Sequence, residues 1–99
     1  MDAKLKTKLI SAATKYDELQ AKRAAKNPRA NHNPFALGIY FGRIDDIERD
    51  IDAGAEPAAA ISAGFSGTLR NAILKGAGFE KNEIENGGWV YKPVKAKGE

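Results

Sequence analysis

Apolar residues recur at steps of three and four along the first quarter of the chain, which is the period of an α-helix. Within residues 2–26 the positions that share this period are Leu5, Leu9, Ala12, Tyr16 and Leu19. A polar connector over residues 27–34 follows and contains two prolines. Because the residue before a proline avoids the helical conformation, we expect the first helix to end at Asn27, directly before Pro28.

A second helical pattern covers residues 35–53. Its apolar stripe consists of Leu37, Tyr40, Phe41, Ile44, Ile47 and Ile51. Gly38 and Gly42 are four residues apart and therefore lie on one side of this helix. That spacing predicts the close approach of another backbone, either within the fold or across a dimer, so the sequence leaves a homodimer open. Gly54 is the predicted stop of the helix.

Residues 55–78 are predicted to form a pair of short helices in a helix-turn-helix-like arrangement. Pro57 suits the first turn of the earlier helix. Ser66 is expected to cap the later helix, because its side-chain oxygen could accept a free backbone N–H group. The residues expected to face inward from the later helix are Leu69, Ala72, Ile73 and Gly76. Those expected to face outward are Thr68, Arg70, Asn71 and Lys75.

The remainder of the chain changes to the period of a β-strand. Asn86-Gly87 is typical of a two-residue turn, and the residues after it alternate between apolar and polar. A β-hairpin is therefore predicted over residues 79–93, followed by a tail over residues 94–99. Since an isolated hairpin is marginal in water, we expect Trp89 to pack on the helices. The predicted fold is mainly α, a single helical domain of three to four helices with a C-terminal β-hairpin.

The composition excludes several classes of protein. The chain has no cysteine, so it has no disulfide, no thiol nucleophile and no thiolate metal site. No apolar run approaches the roughly 18 residues of a membrane span, and the N-terminus lacks a signal-peptide pattern, so a cytoplasmic protein without a membrane partner is expected. His32 has no second histidine to complete a metal site, and we expect neither a metal nor another cofactor.

The charges are distributed unevenly along the chain. Residues 1–34 carry eight Lys/Arg against three Asp/Glu, a net charge of +5, whereas residues 35–57 carry two against six, a net charge of −4. Residues 58–99 carry six against four, a net charge of +2. At about 100° per residue, one narrow stripe of the first helix contains Lys4, Lys8, Lys15, Lys22 and Lys26. This stripe is either a solvated face or a rail for phosphates.

Carboxylates surround the isoleucines in the second half of the second helix. They are Asp45, Asp46, Glu48, Asp50 and Asp52. Such a group could serve acid–base chemistry or a divalent cation, but a solvated acidic face, or one that pairs with the basic first helix, is the better interpretation. The chain contains no P-loop, no GxSxG motif and no set of nucleophile, base and orienting group. We therefore expect no enzymatic activity.

The segment "AISAGFSGTLRNAILKGAGFEKNEIENGGWVYKP" resembles the winged helix-turn-helix domains of phage and mobile-element proteins. Ala60 stands four residues before Gly64, a small-residue spacing that allows two helices to cross, and the hairpin would be the wing. The chain departs from that pattern where Arg70 occupies a position that is usually apolar. The resemblance implies DNA binding. The residues it assigns to that role are Thr68, Arg70, Asn71 and Lys75 in the groove, with Lys92, Lys95 and Lys97 along the phosphates.

The longer segment "NHNPFALGIYFGRIDDIERDIDAGAEPAAAISAGFSGTLRNAILKGAGF" is similar to small uncharacterised proteins encoded by tailed phages. This resemblance implies an accessory protein in the cytoplasm of a host cell. Such a protein would bind nucleic acid in regulation or replication. The alternative is an inhibitor or adaptor that acts on a host protein or defence complex, as anti-CRISPR proteins do. The residues expected to contact a protein partner are Asp45, Asp46, Asp50, Trp89 and Tyr91.

Overall fold

Four helices precede two short paired strands along the chain. The computed structural model describes residues 1–27, 29–83 and 89–93, and their side chains up to Glu80. The helices are α1 (Ala3–Lys26), α2 (Ala36–Asp52), α3 (Pro57–Gly64) and α4 (Gly67–Gly76). The strands are β1 (Phe79–Glu83) and β2 (Trp89–Pro93). The prediction of a mainly helical fold with three to four helices is confirmed.

The helix ends follow local backbone chemistry. Asp2 caps α1 by accepting a hydrogen bond from the backbone N–H of Lys4 at 3.0 Å. Asn27 leaves the helical region with φ −123° and ψ 109°, as expected of a residue before proline. Gly54 and Gly78 follow the ends of α2 and α4 with φ of 109° and 92°, a left-handed conformation that favours glycine. The predicted ends of α1 at Asn27 and of α2 at Gly54 are therefore confirmed.

The start of α4 differs from the prediction. Ser66 occupies the N-cap position with an extended backbone, but its side chain makes no capping hydrogen bond. Gly67 follows with φ 63°, so the first helical residue does not have the backbone conformation of an ordinary first turn. A serine oxygen reaches the N–H groups of the next two or three residues only from that ordinary geometry. The predicted serine cap is wrong for this reason.

The hydrophobic core lies where the four helices meet. Its buried members are Leu9, Ala12, Ala13, Ile44, Ile47, Ala60, Ile61, Phe65, Ile73, Leu74 and Ala77. Two residues that the apolar periodicity assigned to the core are only partly covered, because Leu19 is 50% exposed and Phe41 is 36% exposed. Ala13 and Leu74 are buried although neither stood on a predicted inner face. The core is therefore wider on α1 and α4 than one helical stripe.

α2 runs antiparallel to α1. Near the start of α1, Lys6 Nζ lies 3.0 Å from Oε1 of Glu48, close to the end of α2. Further along, the ring centroids of Tyr16 and Tyr40 are 6.4 Å apart in an edge-to-face arrangement. The Tyr40 ring meets Phe65 in the same way at 6.2 Å, so three aromatic rings join α1, α2 and the turn after α3. Burial raises the pKa of Tyr40 above its ordinary value of 10.0, and nearby Tyr16 adds to the shift.

α4 also runs antiparallel to α1 and approaches it closely. Near the start of α4, Thr68 Oγ1 lies 3.1 Å from the hydroxyl oxygen of Tyr16. At the end of α4, a Cβ atom added to Gly76 would lie 2.5 Å from the Cβ atom of Ala12. Real Cβ atoms do not come so close, so α4 can rest on α1 at this point only because residue 76 has no side chain.

A second close approach joins α3 to α2. A Cβ atom added to Gly64 would lie 2.8 Å from Cδ1 of Ile47. The carbonyl oxygen of Gly64 also accepts a hydrogen bond from the Arg43 guanidinium at 3.2 Å. The end of α3 is therefore held against the middle of α2 by packing and by one hydrogen bond.

The predicted close approach at Gly38 and Gly42 is wrong within the fold. An added Cβ atom at either residue would meet nothing within 4 Å. The buried side of α2 carries Ile44 and Ile47, and at about 100° per residue both glycines point more than a quarter turn away from Ile44. The expectation of an approach across a dimer stays a prediction.

The two strands pair antiparallel, with Phe79 opposite Pro93 and Glu83 opposite Trp89. The predicted Asn86-Gly87 turn and the tail over residues 94–99 lie outside the described residues. The side chain of Trp89, expected to pack on the helices, lies outside them as well. The winged-helix interpretation of this region stays a prediction.

Replacing Gly76 by alanine is expected to lower the free energy of unfolding by about 1–3 kcal/mol, because the new methyl group overlaps Ala12. Urea denaturation at low protein concentration measures this change. In the control variant Gly38→Ala, the new methyl group meets nothing within 4 Å and should stabilise α2 by up to about 1 kcal/mol. A Gly76→Ala chain as stable as the parent would contradict the close α1–α4 contact.

Candidate nucleic-acid interface

The lysine stripe of α1 is exposed along its whole length. Its members Lys4, Lys8, Lys15, Lys22 and Lys26 all have exposed side chains. None of the five forms an ion pair with another residue in the described part of the chain. One carboxylate, Glu18, borders the stripe and is also exposed. The stripe therefore presents five ammonium groups to solvent on one side of α1.

The packing of α1 decides which side of the molecule these lysines occupy. Ala12 faces α4 through its contact with Gly76, and Lys8 and Lys15 lie within about 60° of Ala12 on the helix surface. The ammonium of Lys8 reaches the junction of α4 and β1, since a Cβ atom added to Gly78 would lie 3.7 Å from Lys8 Nζ. The stripe thus lies on the flank of α1 that borders α4. We call this surface the lysine flank.

Three of the four residues predicted to point outward from α4 do so. Thr68, Asn71 and Lys75 are exposed. Thr68 lies beside the lysine flank through its hydrogen bond with Tyr16. Lys75 is the neighbour of Gly76, the residue that touches α1, and brings a further positive charge to the end of α4. The exposed face of α4 therefore continues the lysine flank.

Arg70 differs from the prediction because it is half-buried rather than outward-facing. Its Nε atom is closed off from solvent and finds no hydrogen-bond partner among the described residues. Arg70 stands three, four and seven residues before Ile73, Leu74 and Ala77, which are all buried. This spacing defines one helix face, so Arg70 occupies the first position of the buried stripe of α4. The outward-facing orientation predicted for Arg70 is therefore wrong, and its role in a DNA groove stays a prediction.

The opposite flank of α1 is occupied by ion pairs with α2. Lys6 Nζ lies 3.0 Å from Glu48 Oε1 and 3.8 Å from Asp45 Oδ1. The hydrogen bond to Glu48 and the charge of its carboxylate raise the pKa of Lys6 above its ordinary value of 10.5. Lys6 is therefore charged throughout the neutral range. This pairing was one of the two interpretations open for the acidic helix.

Other carboxylates of α2 also find partners within the chain. The amino group of Met1 contacts Asp52, and Arg49 contacts Asp46 one turn earlier on the same helix. Asp50, predicted as a protein contact together with Asp45 and Asp46, is exposed. Part of the acidic surface is thus neutralised internally, with the usual small effect of exposed pairs on stability.

The connector between α1 and α2 is held by an interaction that sequence reasoning missed. His32 Nε2 lies 2.7 Å from Oδ1 of Asp17, and both side chains are mostly covered, with exposures of 23% and 16%. The two residues are 15 positions apart, so neither helix periodicity nor loop composition pairs them. The contact holds the connector against the side of α1 and thereby positions the start of α2.

Several predicted site residues cannot be placed with side chains. The backbone of Lys92 lies opposite Glu80 in the strand register, but its side chain lies outside the described residues. The side chains of Trp89 and Tyr91 also lie outside the described residues. For Lys95 and Lys97, the backbone lies outside them as well. Their roles with nucleic acid or with a protein stay predictions.

Metal and membrane chemistry can be examined over the same part of the chain. No group of three or more His, Cys, Asp or Glu side chains converges there in a way that could hold a metal ion. Within it, no helix is both long enough and apolar enough to cross a membrane.

Comparisons with known proteins found no relative of this chain. No protein-family model, no curated protein and no solved structure matches the chain. The resemblances to winged-helix domains and to tailed-phage accessory proteins therefore stay predictions. The candidate site is defined by the charges and contacts of this chain alone.

Replacing Arg70 by methionine is expected to leave the free energy of unfolding unchanged or to raise it by up to about 1 kcal/mol. Methionine keeps most of the side-chain volume and removes a buried donor that has no partner among the described residues. Arg70→Ala, which also removes the packed stem, should be less stable than Arg70→Met. Thermal melts of both variants measure the difference. A methionine variant that is less stable than the alanine variant would contradict the buried position.

Proposed function

We propose that the chain is a small accessory protein that binds nucleic acid through the lysine flank. The observation that carries this proposal is the separation of charge on the two sides of α1. Lys6 is neutralised by α2, whereas the five lysines of the stripe are exposed and unpaired within the described residues. A row of unpaired cations with no acidic helix beside it attracts a polyanion and orients it.

The length of the stripe fits a nucleic-acid backbone. Lys4 and Lys26 are 22 residues apart, which corresponds to about 33 Å of helix, close to one turn of B-DNA. Phosphates along such a length exceed the number of lysines, so every lysine of the stripe could meet one. Exposed Thr68 and Lys75 on α4 would add contacts at the edge of the same surface. The proposed mode relies on the phosphate backbone and requires no base reading by Arg70.

The salt dependence expected from this mode is steep. If all five lysines of the stripe engage B-DNA, the slope of log affinity against log salt concentration should be about −4.5, or about −3.5 for a single strand. Affinity for duplex DNA should then fall by about 500-fold between 50 mM and 200 mM salt. If the lysines of the stripe were instead paired with carboxylates of the chain, the net charge of the protein alone would not produce such a steep slope.

Lys8→Gln and Lys15→Gln are each expected to reduce the salt slope for a labelled duplex by about one unit and to weaken binding at low salt. The matched control is Lys6→Gln, which removes the same charge from the same helix at a position that faces Glu48. Because Lys6 points away from the lysine flank, its replacement should leave the slope unchanged. Fluorescence anisotropy at several salt concentrations measures all three variants.

Two results would count against the proposal. Absence of binding to duplex and single-stranded probes at low salt would reject it and leave a protein partner, such as a host protein or a defence complex, as the better hypothesis. Equal effects of Lys6→Gln and Lys8→Gln would show a dependence on net charge rather than on the lysine flank. Heparin serves as the comparison polyanion. If the chain bound heparin as tightly as duplex DNA, it would bind any polyanion of that charge density rather than nucleic acid in particular.

A further inference from the structure

The solvent side of α2 is apolar over its first two turns. Phe35 and Ile39 are 76% and 50% exposed, and they alternate with Gly38 and Gly42, which are exposed and have nothing within 4 Å of an added Cβ atom. These four residues are spaced as the apolar face of a packed helix. We call this surface the outer face of α2.

The position of Phe35 is set by the backbone at the start of α2. Its N–H donates a hydrogen bond to Oδ1 of Asn33 at 2.9 Å, which fixes the residue immediately before the helix. The aromatic ring projects from a fixed backbone and has three quarters of its surface in water. Large apolar side chains that project from a fixed helix, next to glycines, are typical of a surface that packs on another protein.

We propose that the outer face of α2 packs antiparallel on the outer face of α2 in a second copy of the chain. A twofold contact centred between Ile39 and Gly42 brings each Ile39 side chain against the Gly42 backbone of the other copy. One residue supplies the volume and the other supplies the space, so the surface is complementary to itself. The spacing of Gly38 and Gly42, which serves no contact within the fold, would then serve a contact between copies.

Charge selects the antiparallel orientation. Residues 44–52 carry five carboxylates and one arginine, a net charge of −4, whereas residues 22–34 carry four basic residues and no acidic one, a net charge of +4. From the Tyr16–Tyr40 contact, α1 extends about 9 Å beyond the start of α2, so its basic end lies past the N-terminus of α2. An antiparallel pair brings the acidic half of one copy towards this basic end of the other. A parallel pair would place the two acidic halves side by side.

The contact is expected to be weak and reversible. A single pair of helices lies at the low end of interface sizes, about 1,200 Å² or less in total. We therefore expect a dissociation constant in the micromolar range, measured by sedimentation equilibrium over a concentration series. A chain that remains monomeric up to millimolar concentration would overturn the proposal.

Ile39→Asp is expected to raise the dissociation constant of the dimer by about tenfold or more. The matched control is Leu19→Asp, because Leu19 on α1 is also 50% exposed and lies off the proposed interface. The control should leave the dissociation constant unchanged. Equal effects of the two variants would show nonspecific hydrophobic association and would overturn the proposal.

Gly42→Ala provides a test in which two measurements move in opposite directions. In the dilute monomer the melting temperature should rise, since alanine is the better helix former and the new methyl group meets nothing within 4 Å. The dissociation constant of the dimer should rise as well, because the methyl group fills the space that Ile39 of the other copy needs. A Gly42→Ala chain with a higher melting temperature and an unchanged dissociation constant would overturn the proposal.

The orientation can be tested by cross-linking, because the chain has no cysteine of its own. Ile39→Cys should form a disulfide-linked dimer on mild oxidation, since residue 39 lies next to the twofold axis. Arg49→Cys should not, because in the antiparallel pair its two copies are about 26 Å apart. Efficient cross-linking of Arg49→Cys would overturn the antiparallel arrangement. These measurements need no nucleic acid, so their failure is distinct from failure of the proposed function.

Discussion

The contact between Gly76 and Ala12 is the constraint on which the arrangement of the molecule depends. With no side chain at residue 76, α4 lies directly on α1, at a distance that a methyl group would prevent. The contact sets the rotation of α1 about its own axis. Once Ala12 faces α4, Ala13 turns towards the core, and the lysine stripe is left on the border with α4. One missing methyl group thus determines where the basic surface lies.

The same rotation separates the charges of α1 onto two sides of the helix. Lys6 turns towards α2 and is neutralised by Glu48, although only two residues separate it from Lys8. Lys8 turns towards the end of α4 and stays exposed. If all lysines of α1 faced the acidic helix α2, their charges would be neutralised within the chain. In this arrangement only Lys6 faces α2, and the five lysines of the stripe stay exposed to solvent. That separation is the physical basis for the proposed nucleic-acid binding.

The residues that pack at the two proposed surfaces are different, although the basic end that favours the antiparallel pair includes Lys22 and Lys26 of the lysine flank. The lysine flank uses α1 and the exposed side of α4, whereas the outer face of α2 uses Phe35, Gly38, Ile39 and Gly42. Binding of a polyanion and association of two copies can therefore occur together. A dimer would carry two lysine flanks and would gain affinity for a long polyanion through the high local concentration of the second site.

The sequence by itself determined the helices and their ends, because these depend on local chemistry. Asn27 before a proline and Gly54 act within one turn of the chain, and the structure follows both. Only the tertiary structure decided which face of each helix is covered. Gly38 and Gly42 had the spacing for a close contact between helices, but in the fold the close contacts are made by Gly64 and Gly76 instead. Arg70 is half-buried because its neighbours Ile73 and Leu74 face the core, and Leu19 is half exposed because no described element packs fully over it. Periodicity defines a face of a helix, but the partner that covers that face comes from residues far away in the chain, and no local pattern records it.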